Sequence, residues 1–124
     1  MTKTDTVLLV EDELLVAMEI QDLIEEVGLA TEGPYSTVAG ANEALGSVQV
    51  ACAVLDVRLR DGDIFPVADE LCARGIPMIF HSGHATPDQI TSRYPDAIFF
   101  EKPCVPAQIV QTIRQLTGKE QLVA

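Results

Sequence analysis

Short, solid runs of apolar residues alternate along this chain with stretches where apolar residues return every three or four positions. Thr6-Val7-Leu8-Leu9-Val10 is the first run, and it stops at Glu11-Asp12-Glu13. A continuous apolar run with β-branched residues predicts a strand buried on both faces. Val16, Ile20, Leu23, Ile24 and Val27 then follow at i, i+4, i+7, i+8 and i+11. That spacing predicts a helix, with Gly28 closing it at C′. A short strand is expected around Ala30 to Thr31, broken by Gly33-Pro34, and Ser36 can cap a second helix carrying Val38, Ala41, Leu45 and Val48. Ala51 to Val57 is the second strong run, with Asp56 near its end. Asp61-Gly62 reads as a turn. A third helix carries Phe65, Val67, Ala68, Leu71 and Cys72 and ends near Gly75. Pro77 to Phe80 is a buried strand, with Met78, Ile79 and Phe80 in the core, and it ends at His81-Ser82-Gly83-His84. A short, polar helix is expected over Pro87 to Tyr94. Ala97 to Phe100 is the last strand, ending at Glu101-Lys102-Pro103. The final helix carries Ile109, Val110, Ile113 and Leu116 and stops at Gly118.

Five alternations of apolar strand and amphipathic helix predict a parallel sheet covered on both faces. Right-handed crossovers make this a doubly wound, three-layer α/β/α sandwich in a single domain. No internal repeat, low-complexity tract or linker interrupts it.

Four of the five strands run apolar and then end in a reactive polar residue: Glu11 and Asp12, Asp56, Ser82, and Lys102. In a parallel sheet all these ends lie on one edge, and open α/β sheets bind ligands there. Taken singly, each is explained as a helix cap, a turn or a surface step. Taken together, they bring carboxylates, a hydroxyl and an ammonium into one pocket. Clustered carboxylates repel one another and raise each other's pKa values. A hard divalent cation such as Mg²⁺ relieves this and keeps positions open for phosphate oxygens. Asp56 is central, and a carboxylate can attack phosphorus. Mg²⁺, Lys102 and the Ser82 hydroxyl could then hold the phosphoryl oxygens.

Composition narrows the alternatives. With 124 residues, 48% of them hydrophobic, the chain suits one domain with a real core. No apolar run approaches the roughly 20 residues of a membrane span. Met1 to Asp5 lacks a signal peptide's apolar stretch, so a cytoplasmic location is expected. The net charge is −11, with only 8 Lys and Arg residues, and these are scattered. This disfavours nucleic acid and anionic membranes and favours a cation or a partner with a basic rim. Cys52, Cys72 and Cys104 form no close pair and are expected to be reduced, mostly buried thiols.

The segments Leu8-Leu9-Val10-Glu11-Asp12-Glu13, Val54-Leu55-Asp56-Val57, Phe80-His81-Ser82-Gly83 and Glu101-Lys102-Pro103 resemble the receiver domains of bacterial two-component response regulators. The resemblance runs from about Val7 to Leu116 and implies a flavodoxin-like (CheY-like) fold over a core of about residues 6–117. It implies that Asp56 is the phosphoacceptor and that Glu11 and Asp12 are the acidic pair, Asp12 being the more direct Mg²⁺ ligand. It implies further that the backbone carbonyl of Arg58 is a ligand, Ser82 the switch hydroxyl, Lys102 the phosphate-binding lysine and Phe99 the switch aromatic. The Lys102-Pro103 bond is cis in many members.

Departures also matter. Many receivers carry Pro four residues after the acceptor, and here that position is Arg60. Leu59-Arg60-Asp61-Gly62-Asp63 is similar instead to a variant common among stand-alone alphaproteobacterial receivers. The short, polar fourth helix puts the usual output surface in doubt. Arg58 and His84 flank the site where side chains tune phosphoryl lifetime. His81 and His84, at i and i+3, form only a weak metal pair.

The implied partner is a histidine kinase or histidine phosphotransfer protein docking near the first helix. No output domain is expected after the fifth helix. Output would pass to a downstream protein, to a homodimer through the face of the fourth helix, fifth strand and fifth helix, or along a phosphorelay. The implied role is that of a phosphoacceptor signalling protein rather than an enzyme. The main alternative is a phosphate-independent interaction module on the same fold, which loss of Asp56, Asp12 or Lys102 would have favoured. Aspartate-nucleophile phosphatases usually carry a second aspartate two residues after the first, where this chain has Arg58. Flavin binding lacks a phosphate loop after the first strand, where Glu11 and Asp12 would repel phosphate.

Overall fold

The computed structural model describes residues 5–83 and 85–118. Its main sheet has five strands: β1 (Thr6–Val10), β2 (Ala30–Tyr35), β3 (Cys52–Leu55), β6 (Met78–Ser82) and β7 (Ile98–Glu101). They lie in the order β2-β1-β3-β6-β7 and every pairing is parallel. The helices are α1 (Leu14–Glu26), α2 (Val38–Leu45), α3 (Phe65–Ala73), α4 (Pro87–Arg93) and α5 (Pro106–Thr117). A two-stranded antiparallel ribbon, β4 (Arg58–Leu59) with β5 (Gly62–Asp63), lies between β3 and α3. The strand order turns back at β1 and β3, so the crevice of the switch point opens between their carboxyl ends.

Alternation along β1 explains the three layers. Val7 and Leu9 face one side and pack with Ile20 and Ile24 of α1 and Ile109, Val110 and Ile113 of α5. Leu8 and Val10 face the other side and pack with Ala41 and Leu45 of α2, Val67 and Leu71 of α3, and Ile90 of α4. Side chains of period two on the strands thus feed two separate cores. α5 begins with Pro106, whose missing N–H would have no partner at a helix start, and ends at Gly118 with φ +80°. Among the described residues, no helix is long and apolar enough to cross a membrane.

The helices and sheet match the sequence pattern, except that α2 stops at Leu45 with Gly46 as its C-cap and leaves Val48 beyond the helix, and with four further corrections. β2 does not stop at Gly33-Pro34 but runs on to Tyr35, with a register irregularity opposite Leu8 and Val10. It is an edge strand, where Pro removes no needed ladder bond. Gly33 sits at φ +111°, and a Cβ there would meet the Leu9 carbonyl oxygen at 2.6 Å. Second, Thr37 rather than Ser36 caps α2; its hydroxyl accepts from the Gly40 N–H at 3.0 Å. Third, Cys52 is buried, but Cys72 is exposed and Cys104 half-buried. Val67, Ala68 and Leu71 take the inward face of α3 and leave Cys72 outside it. Fourth, the β4–β5 ribbon supplements the five alternations.

Candidate functional site

Glu11, Asp56 and Lys102 lie just past strand ends, and each is fixed by the backbone of a neighbouring strand. The Glu11 N–H donates to the Tyr35 carbonyl at 2.9 Å, Asp56 N–H to Val10 at 2.9 Å, and Lys102 N–H to Ser82 at 3.1 Å. The parallel ladder therefore extends into the site and sets the spacing of its side chains. Glu11, Asp56, His81 and Ser82 are the buried polar residues here, exposed by 3% or less.

Lys102 closes the cluster. Its ammonium donates to Glu11 Oε2 at 2.8 Å, Glu13 Oε1 at 2.7 Å and Asp56 Oδ2 at 3.0 Å. Burial alone would lower the Lys102 pKa, but its hydrogen bonds to Glu11, Glu13 and Asp56 outweigh this and raise it. Glu11 is pushed up to about 7, first by burial and also by the charge of Asp56, against the lowering effect of Lys102. His81 is buried with Nδ1 3.8 Å from Glu11 Oε1, and neither ring nitrogen has a hydrogen-bond partner. Burial, followed by the charge of Lys102, lowers its pKa, against the raising effect of Asp56 and Glu13.

Glu11, Asp12 and Asp56 each offer a carboxylate oxygen, and these oxygens lie within 4.8 Å of one another. Asp56 Oδ1 is buried without a hydrogen-bond donor. A buried carboxylate oxygen in that position is costly unless a cation or donor meets it. Hard oxygen donors, an under-satisfied lone pair and an adjoining cleft of about 460 Å³ fit a small divalent ion such as Mg²⁺. Arg58, Leu59 and Arg60 line that cleft with Asp12, Glu13, Asp56, Gly83 and Lys102. The Arg58 side chain is exposed and lies 4.0 Å from Asp63.

Ser82 is fully buried at the end of β6. Phe99 is half-buried on β7, opposite Phe80 and against the core on the α4 side. The residues expected at the site from the strand ends are thus brought to one edge, with Phe99, on β7, three residues before Lys102. Among the described residues, His81 joins no metal-ligand cluster; His84 lies outside the described residues. Two participants escape sequence reasoning. Glu13 bonds Lys102, and the only signal for it is a third consecutive acidic residue. His81 abuts Glu11, because alternation along β6 places it opposite in sense to Ser82.

An open parallel sheet of order β2-β1-β3-β6-β7 with an acidic, lysine-closed cleft at its carboxyl edge defines a flavodoxin-like single-domain class. No family model matches the chain, and no curated protein matches it in sequence. Solved structures do. SdrG from Sphingomonas melonis Fr1 is 35% identical, with 94% of this chain and 98% of that one covered at a TM-score of 0.75. A response regulator receiver protein from Sinorhizobium medicae WSM419 is 28% identical, covering 93% and 95%, at 0.78. The PhyR response regulator REC domain from Erythrobacter litoralis is 27% identical, covering 91% and 89%, at 0.75. This chain belongs to the receiver domains of response regulators. It is accordingly a signalling domain.

Proposed function

We propose that this receiver accepts a phosphoryl group on Asp56 from a histidine kinase or histidine phosphotransfer protein and passes the signal on as a change of conformation. The observation that carries the reading is Asp56 itself: it is buried, held by Lys102 through Oδ2, and has an unpartnered Oδ1 beside Glu11 and Asp12. A carboxylate so placed is oriented for attack and shielded from competing donors.

In the proposed step, an Asp56 oxygen forms a bond to phosphorus as the phosphorus–nitrogen bond of the donor's phosphohistidine breaks. The electron pair goes to the imidazole nitrogen, which takes a proton. Asp12, Asp56 and the Arg58 carbonyl, with Glu11 behind them, would hold Mg²⁺, which neutralises charge on the phosphoryl oxygens when bound. Lys102 and the Ser82 hydroxyl hold the same oxygens from the other side. Ser82 moving toward the phosphoryl group would free space into which Phe99 turns, biasing two packings of the region around α4, β7 and α5. Exposed Leu14, Leu15 and Met18 on α1 offer the donor protein an apolar landing beside the cleft. A beryllium-fluoride-activated conformation is recorded for SdrG, which supports the same chemistry here. We place the protein in the cytoplasm, with output through a downstream protein or a homodimer.

The test is intact-protein mass spectrometry after incubation with acetyl phosphate and Mg²⁺, alongside Asp56→Asn. A gain of one phosphoryl group in wild type alone supports the reading. No gain in wild type, with either this donor or a phosphorylated phosphotransfer domain, returns the phosphate-independent module.

A further inference from the structure

A lysine ammonium has three N–H donors. In this receiver all three are taken by carboxylates: Glu11 at 2.8 Å, Asp56 at 3.0 Å and Glu13 at 2.7 Å. The three are not equivalent. The Glu11 and Asp56 side chains are 2% and 3% exposed, whereas that of Glu13 is 59% exposed. Glu11 is also held by the Glu13 backbone N–H at 3.1 Å. Glu13 is the N-cap residue of α1, yet its side chain makes no capping hydrogen bond. Its carboxylate is turned to Lys102, 89 residues away in sequence. Glu13 and Lys102 also stand between two clefts, lining both the acidic one with Asp12 and Asp56 and a second one with Val16, Glu19, His81 and Cys104.

We propose that Glu13 is a positioning residue that restrains Lys102 and opposes the phosphorylated state, being displaced from the ammonium when Asp56 carries a phosphoryl group. This rests on the reading of Asp56 as phosphoacceptor and adds to it the residue that sets how readily the acceptor site fills. Phosphorylation replaces one carboxylate charge with a group of charge near −2 bearing three acceptor oxygens. Lys102 is the ammonium at hand to meet them. Releasing Glu11 would strand a buried carboxylate, which is costly. Releasing Glu13 only returns an exposed carboxylate to water, and exposed ion pairs are weak. The donor now spent on Glu13 is therefore the one that turns to the phosphoryl group. While it stays, the Glu13 charge also repels the incoming dianion across the lip of the cleft.

The test uses the full chain and two probes, beryllium fluoride as a phosphoryl mimic and acetyl phosphate, each with Mg²⁺. Glu13→Gln keeps the shape and removes the charge; Glu13→Asp keeps the charge. Glu13→Gln should bind beryllium fluoride about fivefold more tightly, the scale of an exposed ion pair. It should also show a larger phosphorylated fraction at steady state by intact mass, while Glu13→Asp stays nearer to wild type. Without ligand the melting temperature of both variants should remain close to that of wild type, which separates this role from a merely structural one. Unchanged or weaker beryllium fluoride binding by Glu13→Gln, with wild type still phosphorylated on Asp56, overturns the proposal and leaves the acceptor reading intact. Wild type that takes up neither probe overturns both.

Discussion

The Tyr94 hydroxyl donates a 2.6 Å hydrogen bond to Asp69 Oδ1, tying the residue that follows α4 to the middle of α3. Arg93 reinforces the tie: it donates to Asp69 Oδ2 at 3.0 Å and lies 4.5 Å above the Phe65 ring. The Tyr94 ring is buried and stacks on Phe80 at 5.5 Å. α4 itself buries only Ile90. This short helix is therefore positioned less by its own apolar face than by the residues at its C-terminal end. Tyr94→Phe should keep the stack and lose the hydrogen bond to a charged acceptor, costing about 1–2 kcal/mol, less than a fully buried bond because Asp69 is exposed. Tyr94→Ala should cost about 3–5 kcal/mol. Urea denaturation measures both, and equal costs would remove the hydrogen bond from the account.

A pH dependence follows from Glu11. Its folded pKa is raised to about 7, against an ordinary value of 4.5, with burial as the leading cause. Between those values the folded state holds a proton that the unfolded chain has released. The stability Glu11 contributes is therefore complete below pH 4.5 and is lost as pH rises through 7. The scale is on the order of 3 kcal/mol. In metal-free protein, wild type should gain stability relative to Glu11→Gln as pH falls across this window. Parallel curves for the two proteins, read from chemical denaturation at several pH values, would count against a buried, proton-holding Glu11.

The fold was legible because four of its five main-sheet strands are solid apolar runs, and the candidate site because each of those four leads into a polar residue on the same sheet edge. Asp56, Ser82 and Lys102 needed only the topology to be brought together. What stayed hidden depends on contacts between segments. The Asp61 carboxylate accepts from the N–H groups of Val38 at 2.8 Å and Ala39 at 3.1 Å, closing the start of α2 from 22 and 23 residues away. These bonds lower the Asp61 pKa. Nothing in a local window signals such a cap. The β4–β5 ribbon has two residues per strand, too few to show any period. Ser36 and Thr37 are equally competent caps, and only the position of the Gly40 N–H decides between them.

Gly33 offers a direct test of the edge-strand geometry. With φ at +111° and the Leu9 oxygen 2.6 Å and the Tyr35 nitrogen 2.9 Å from a notional Cβ, both backbone conformation and space exclude a side chain. Gly33→Ala should destabilise the protein by about 2 kcal/mol or more. The companion substitution Gly28→Ala has φ +89° but nothing within 4 Å, so it should cost less. Equal midpoints for the two variants in urea would mean that β2 shifts freely and that the contact with Leu9 does not constrain it.

Removing the charge of Asp56 tests the acidic cluster as a whole. Its Oδ1 has no donor, and its charge is one of the causes that raise Glu11. Its Oδ2 bond to Lys102 offsets this in part, but Lys102 keeps Glu11 and Glu13 as partners. Asp56→Asn should therefore raise the melting temperature of metal-free protein, because relief of repulsion between buried groups outweighs one bond to an ammonium already satisfied. Wild type should gain stability from millimolar Mg²⁺ by binding it only when folded, by about 2.7 kcal/mol at a hundred times Kd. Asp56→Asn should respond much less, having lost one of three clustered carboxylates. A calorimetric scan with and without Mg²⁺ separates the cases. A lower metal-free melting temperature for Asp56→Asn would mean that the Lys102 bond dominates the cluster. An equal Mg²⁺ response in both proteins would place the ion away from Asp56.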